Sequence, residues 1–313
     1  MIKNDSTWKV SEVPENIPHG DVPGDNVIIG KEYLARANVV FPELLRQLMP
    51  VLKQNQKAVV AVCGGSGVGK SSMASLISYY LSKIGIGNYI LSGDNYPHRI
   101  PMHNDAERLR IFRECALKGM IKENTYSAER FEIIHKFQKN GDDANPKHAE
   151  EYSWYESYLR NGEEGLRGYL GTSREIGFED IALIIRKFKS GEKKIWLKRM
   201  GRTDTELWFD EVDFSSTQIL LIEWTHGNSD NYDGVDIPIL LNSTPQETLK
   251  NRRIRNRDGA IDSPFTTMVL EIEQEMLNDE AHKAKIILSK NGELLSYEQY
   301  CNLMEKSKNA SNE

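Results

Sequence analysis

Residues 58–72 read Ala-Val-Val-Ala-Val-Cys-Gly-Gly-Ser-Gly-Val-Gly-Lys-Ser-Ser, and Gly64, Gly69, Lys70 and Ser71 fit the pattern G-x-x-x-x-G-K-[ST]. Glycines let the backbone curl so that successive N–H groups point inward at phosphate oxygens. A helix starting at the end of the loop adds its positive N-terminal end. In that arrangement Gly64, Gly65, Ser66, Gly67, Val68, Gly69, Lys70, Ser71 and Ser72 cradle a polyphosphate. Lys70 reaches its β- and γ-phosphates, and the Ser71 hydroxyl sits on Mg²⁺. A valine-rich run precedes the loop, and Met73-Ala-Ser-Leu-Ile-Ser-Tyr-Tyr-Leu81 follows it with apolar residues at helical spacing. Strand, loop and helix come in the order the motif needs, so a purine nucleotide, ATP or GTP, is expected here.

Outward from this unit, strands alternate with helices, which predicts an α/β P-loop NTPase fold in three layers with a mainly parallel sheet. Residues 1–40, rich in Pro, Gly, Asn and Asp, read as a loose N-terminal arm. A helix over 42–54 leads into the first strand. The P-loop kinase core is expected over 41–119 and 203–292, with strands near 89–92, 216–223, 235–241 and 286–288. Asn104 and Glu107 form a capping box for a helix after the second strand. Thr244-Pro245-Gln-Glu247 is a second helix start, with N-cap, proline at N1 and capping glutamate. Ser263-Pro264 opens another helix, and Asn291-Gly292 marks a turn. Residues 120–202 read as a helical insertion, with helices over 127–139, 147–160 and 178–190 and a glycine-rich break at Gly162, Gly165, Gly168 and Gly171. Its Tyr152, Trp154, Tyr155, Arg167 and Tyr169 are expected on the acceptor side. Residues 293–313 form a C-terminal helix and polar tail.

The 313 residues carry a net charge of −6, which argues against a nucleic-acid partner held by bulk electrostatics. No apolar stretch approaches 18 residues, so no membrane span is expected. The start, Met-Ile-Lys-Asn-Asp-Ser-Thr-Trp, lacks the apolar core of a secretory signal. Cys63, Cys115 and Cys301 show no metal-ligand or disulfide spacing, which fits a reducing, cytoplasmic location. Cys63, at the end of a buried strand, reads as a core side chain.

Asp94 ends the second strand in Ser92-Gly93-Asp94-Asn95. In an open α/β sheet ligands bind at the carboxyl ends of strands, where a carboxylate can take the proton of an attacking hydroxyl. The same dipeptide also suits an Asx turn. Glu223 ends an apolar strand, as a carboxylate that holds Mg²⁺ directly or through water does, or as a solvated strand end.

Three segments together resemble the uridine kinase, phosphoribulokinase and pantothenate kinase group: Gly-Gly-Ser-Gly-Val-Gly-Lys-Ser-Ser (64–72), Ser-Gly-Asp-Asn-Tyr-Pro-His-Arg (92–99) and Ile-Glu-Trp-Thr-His-Gly (222–227). The resemblance covers residues 57–100 and 215–290. It implies that Asp94 is the catalytic base and that Glu223, with Ser71, belongs to the metal site. Tyr96, His98 and Arg99 fall where that family contacts its acceptor, and His103 and His226 are further substrate-side candidates. Trp224 departs from the family, which has glycine after the glutamate.

Lys250-Asn-Arg-Arg-Ile-Arg-Asn-Arg257 places four arginines at the end of a helix. Helix C-termini welcome cations, so a solvated helix end is one reading. The family's arginine lid, which covers the transferring phosphate, occupies this place and is the other. On the lid reading Arg253 and Arg257 join Lys70 and Asp94 as catalytic groups. Arg253→Ala or Arg257→Ala is then expected to lower kcat with little change in nucleotide Kd, because a lid acts on charge that develops in the transition state. Full turnover in both variants would leave only a solvated helix end.

The function expected is transfer of the γ-phosphate of ATP or GTP to a hydroxyl of a small molecule: a sugar, sugar phosphate or nucleoside. A homodimer is compatible with it. A kinase for an already phosphorylated or sulfated nucleotide is an alternative that would use Arg199 and Arg202. A regulatory P-loop NTPase is another, but N-K-x-D is absent and the one D-x-x-G noted, Asp21–Gly24, precedes the loop.

Overall fold

A computed structural model of the chain describes residues 9–24, 27, 29–255 and 263–311. Its helices and strands run α1 (Lys31–Asn55), β1 (Ala58–Cys63), α2 (Lys70–Lys83), β2 (Asn88–Ser92), α3 (Pro101–Lys122), α4 (Ala128–Lys139), α5 (His148–Glu151), α6 (Tyr155–Arg167), α7 (Phe178–Lys189), β3 (Lys194–Met200), β4 (Leu207–Asp213), β5 (Ile219–Glu223), β6 (Ile237–Leu241), α8 (Pro245–Arg255), α9 (Pro264–Glu280), β7 (Ile286–Leu288), β8 (Leu294–Leu295) and α10 (Tyr297–Ser311). Two compact units result. The first holds 1–96, 178–244 and 277–313, and the second holds 97–177 and 245–276.

In the first unit six strands form one sheet in the order β2-β5-β1-β6-β7-β8. All pairings are parallel except the antiparallel β7–β8 pair. Every residue of β1, β5, β6 and β7 is buried. Such continuous apolar runs mark strands covered on both faces. On one face Val60, Val62, Leu221 and Ile239 pack with Phe41, Leu44 and Leu48 of α1 and with Met73, Ile77 and Tyr80 of α2. On the other face Cys63, Leu240 and Ile287 pack with Leu277, Tyr300 and Met304. The alternation of neighbouring residues between two cores is the period-two geometry of a strand. Helix, sheet and helix make the three layers expected from the sequence.

Two elements of this unit differ from the sequence reading. Helix α1 starts at Lys31 and carries Pro42 and Pro50 inside it, where a start at Pro42 was expected. Its buried stripe of Leu34, Ala37, Phe41, Leu44 and Leu48 repeats every three or four residues across Pro42, so packing overrides a local breaker. The end of the expected helical insertion is instead a hairpin, β3 pairing antiparallel with β4 from Lys194↔Asp213 to Met200↔Leu207. Along β3 buried Ile195 and Leu197 alternate with exposed Trp196, a short period-two signal among charged residues.

In the second unit Phe112, Ala116 and Met120 of α3 pack with Tyr155 and Tyr158 of α6 and with Ile134. Gly162 and Gly165 lie inside α6, so the expected glycine-rich break begins later than the sequence suggested. A Cβ at Gly162 would stand 2.5 Å from the Phe112 ring, which shows that this glycine lets the two helices approach closely. Tyr155 and Tyr169, expected on the acceptor side, are buried, and Tyr155 is part of this core. Helix α3 starts on Pro101, with Ile100 as its N-cap. Asn104 is therefore an interior residue and not a cap, and its amide donates to Glu175 Oε1 at 2.8 Å.

Candidate functional site

The glycine loop leaves β1 after Cys63 and enters α2 at Lys70. Gly69 has φ of +97°, a region L side chains rarely adopt, and a Cβ there would stand 2.2 Å from the Tyr33 ring of α1. A Cβ at Gly64 would meet the Leu241 carbonyl at 2.6 Å. The loop is thus confined between β6 and α1, and Arg36 Nη1 donates to the Val68 carbonyl at 3.2 Å. Lys70 Nζ donates to the Gly65 carbonyl at 3.1 Å, folded back along the loop. Cys63 is buried, with its thiol pushed up to about 12 by burial, so it is the inert core residue expected.

Strand register brings the second half of the site to this loop. Glu223 ends β5, beside Val62 of β1 on one side and Ser92 of β2 on the other. Ser71 Oγ donates to Glu223 Oε2 at 3.0 Å and Ser92 Oγ to Oε1 at 2.8 Å. Burial, and then the charge of Asp94, push the Glu223 carboxyl up to about 7, against the pull of Lys70 and the two hydroxyls. Lys70, Ser71, Asp94 and Glu223, singled out separately in the sequence, therefore act on one another in the folded chain.

Glu223 carries a pH signature. Between its unfolded value near 4.5 and its folded value near 7, the folded protein binds the proton more tightly. Stability from this group is full below that window and falls as pH rises through it, by at most roughly 3 kcal/mol. In EDTA, Glu223→Gln is therefore expected to gain melting temperature over wild type at pH 8 and to lose that advantage at pH 5. The same offset at both pH values would contradict the buried, proton-binding carboxyl.

Asp94 sits on a 3-10 turn, Gly93–Asn95, directly after β2, and its side chain is exposed. Trp224 has a defined place beside this turn. Ser92 pairs with Glu223, so the next residues on each strand are neighbours, and a Cβ at Gly93 would lie 1.9 Å from the Trp224 ring. The indole occupies the space a side chain at 93 would need, and packs against Phe178, His226 and Tyr232. Tyr96 and His226, expected at the acceptor, are both buried within this unit, Tyr96 closing the turn through its N–H to the Gly93 carbonyl at 2.9 Å. Arg199 is buried too, its guanidinium bonded to Asp21, Tyr89 and Asp210. It is thus engaged within the fold rather than presented to an anionic acceptor.

The second unit carries the other candidates. His98 is exposed and Arg99 partly so. The His98 ring bonds the Ser173 carbonyl at 3.0 Å, and Arg99 Nη1 donates to the Tyr169 hydroxyl at 2.9 Å. His103 is exposed on α3. Buried Glu175, unmarked in the sequence, ties this region together by accepting from Arg108, Asn104 and the Gly171 N–H. In the arginine run Arg252 turns back onto its own helix, donating to Pro245 O at 2.8 Å and Thr248 Oγ1 at 2.6 Å, whereas Arg253 is exposed. Arg257 lies outside the described residues.

No helix among the described residues is long and apolar enough to cross a membrane. No family model matches the chain. Among solved structures it overlays a protein described as a candidate fructose transport system kinase from Silicibacter sp. TM1040, at 14% identity and TM-score 0.45 over 80% of this chain and 94% of the other. A possible uridine kinase from Bacillus stearothermophilus overlays at 13% identity and TM-score 0.36, over 78% and 98%. The fold assignment accordingly rests on the chain's own topology and loop. In sequence the chain is 38% identical over 243 residues to the bifunctional alpha-galactosidase/sucrose kinase AgaSK of Mediterraneibacter gnavus, a match spanning 78% of this chain and 21% of that protein. The chain is thus similar, over most of its length, to about one fifth of a protein named for two activities.

Proposed function

We propose that the chain is a phosphotransferase that moves the γ-phosphate of ATP or GTP to a hydroxyl of a small molecule, a sugar, sugar phosphate or nucleoside. The observation that carries this reading is the Ser71–Glu223 hydrogen bond of 3.0 Å at the mouth of the glycine loop, with Lys70 and Asp94 acting on the same carboxylate. Of the two activities in the relative's name, glycoside hydrolysis works with a pair of carboxylates flanking the scissile bond. A phosphate loop has no part in that chemistry, so the kinase is the activity that transfers, and sucrose heads the acceptor panel.

A hydroxyl and a buried carboxylate fit a magnesium ion that takes its remaining ligands from phosphate and water. Among the described residues no three His, Cys, Asp or Glu gather into a cage that would hold a metal by themselves. When bound, such an ion neutralises charge on the β- and γ-phosphates. The chain's own residues supply the rest. The loop N–H groups and Lys70 hold the β- and γ-phosphates, and Lys70 meets charge that grows on the transferring group. Asp94 accepts the proton of the acceptor hydroxyl and aligns its oxygen for in-line attack. The three cysteines are unpaired, which suits the proposed reducing cytoplasm.

The test is nucleotide consumption with ATP and GTP over a panel of sucrose, fructose, glucose, a sugar phosphate and uridine. Acceptor-dependent release of nucleoside diphosphate is expected. Hydrolysis that no acceptor stimulates would overturn the kinase reading in favour of an NTPase.

A further inference from the structure

Asp21 lies in the N-terminal segment, which the sequence gives no reason to connect with catalysis. Its side chain is 9% exposed and its two carboxylate oxygens accept four hydrogen bonds. Oδ1 takes the Ser92 backbone N–H at 2.8 Å and the Asn95 side-chain amide at 2.9 Å. Oδ2 takes the Tyr89 hydroxyl at 2.9 Å and Arg199 Nη1 at 2.9 Å. The network extends outward from there. Arg199 Nη2 donates to the Tyr89 hydroxyl at 3.0 Å, and the Asn95 side-chain oxygen Oδ1 accepts from the Met200 N–H at 3.0 Å.

The positions of the two Oδ1 donors matter most. Ser92 and Asn95 are the residues immediately outside Gly93 and Asp94, so a single oxygen holds both flanks of the turn that presents Asp94. Ser92 is also the residue whose hydroxyl donates to Glu223. Trp224 packs on Gly93 of the same turn. A carboxylate saturated by two backbone-flanking donors, a phenol and a guanidinium is rigid, because moving any one segment breaks charge-assisted bonds in a buried setting. Within the turn the Tyr96 N–H closes on the Gly93 carbonyl at 2.9 Å.

We propose that Asp21 is a positioning residue for Asp94: by gripping Ser92 and Asn95 it fixes the direction in which the Asp94 carboxylate meets the acceptor hydroxyl. The inference rests on the kinase reading and on Asp94 as base. Misplacing a reacting group by about 1 Å can cost on the order of 100-fold in rate, so a residue that never touches substrate can carry a large share of kcat.

A double-mutant cycle tests it. Asp21→Asn, Asp94→Asn and the double variant are measured on the full chain for kcat, acceptor KM and nucleotide Kd, with active sites counted by nucleotide-binding stoichiometry. Asp21→Asn alone is expected to lower kcat per binding site roughly 10- to 100-fold, with nucleotide Kd and acceptor KM within threefold. In the Asp94→Asn background the same change is expected to cost less than threefold, because the group being positioned is already gone. Equal losses in both backgrounds would overturn the proposal and leave Asp21 a structural anchor. If Asp21→Asn does not fold, Asn95→Ala removes one of the two flanking bonds, and the same pair of backgrounds decides the matter. The underlying reading fails separately and visibly, through Asp94→Asn alone turning over at the wild-type rate.

Discussion

Lys70→Ala is expected to lower phosphate transfer by at least 100-fold while leaving the protein folded. Losing one preorganised group that meets developing charge costs about 3–4 kcal/mol of transition-state stabilisation. The folded state loses little. Lys70 starts α2 at the loop, is only partly buried, and donates to the Gly65 carbonyl within the same loop. The melting temperature should therefore move by no more than about 3 °C, the shift that roughly 1 kcal/mol produces in a chain of this size. A second consequence follows from the charge. Lys70 is the cation that holds the Glu223 carboxyl down, so its removal pushes Glu223 above about 7. Retention of more than a tenth of wild-type kcat would contradict the phosphate-cradle role of Lys70.

Asp94→Asn is expected to cost about 100- to 10,000-fold in kcat, the range for removing a positioned general base. Asparagine keeps the shape and the turn preference, so unfolding does not explain a loss, and nucleotide Kd should stay near its wild-type value. Here too Glu223 serves as a reporter, with the opposite sign. The Asp94 charge raises the Glu223 carboxyl, and neutralising it lets Glu223 ionise at lower pH. Titration of the metal-free protein by carboxyl-sensitive infrared spectroscopy would show the Glu223 transition moving down in Asp94→Asn and up in Lys70→Ala. Unchanged turnover in Asp94→Asn would end its assignment as the base and leave the residue as the Asx turn its sequence also allows.

The legible part of this protein is the part whose chemistry is local. The phosphate loop demands glycines where a Cβ cannot fit, a lysine and a hydroxyl, all within eight positions of the chain, and the structure forms the loop at those residues. The buried parallel strands could be read because covering both faces makes a run apolar throughout. Helix starts at Pro245 and Pro264 could be read because proline suits the first helical turn. Where local rules competed with packing, packing won. Pro42 lies within α1 because the apolar stripe continues across it, and Asn104 is an interior residue because Glu175 takes its amide. The β3–β4 hairpin escaped notice because seven-residue strands with charged neighbours give too short an alternation to outweigh the helical segments before them.

The sequence by itself determined a glycine loop at a strand-to-helix turn, with Glu223 ending one strand and Asp94 just beyond the end of another. Only the tertiary structure decided how these are coupled and held. Ser71 meets Glu223 across 152 positions of the chain, Asp21 meets Ser92 across 71, and Arg199 meets Asp21 across 178. Hydrogen bonds of a few ångströms between segments that far apart have no periodicity, spacing or composition to announce them. The parallel register of β2 against β5 sets Ser92 beside Glu223 and brings Gly93 to Trp224, and that register is fixed by the burial of two whole sheet faces rather than by any one stretch of residues.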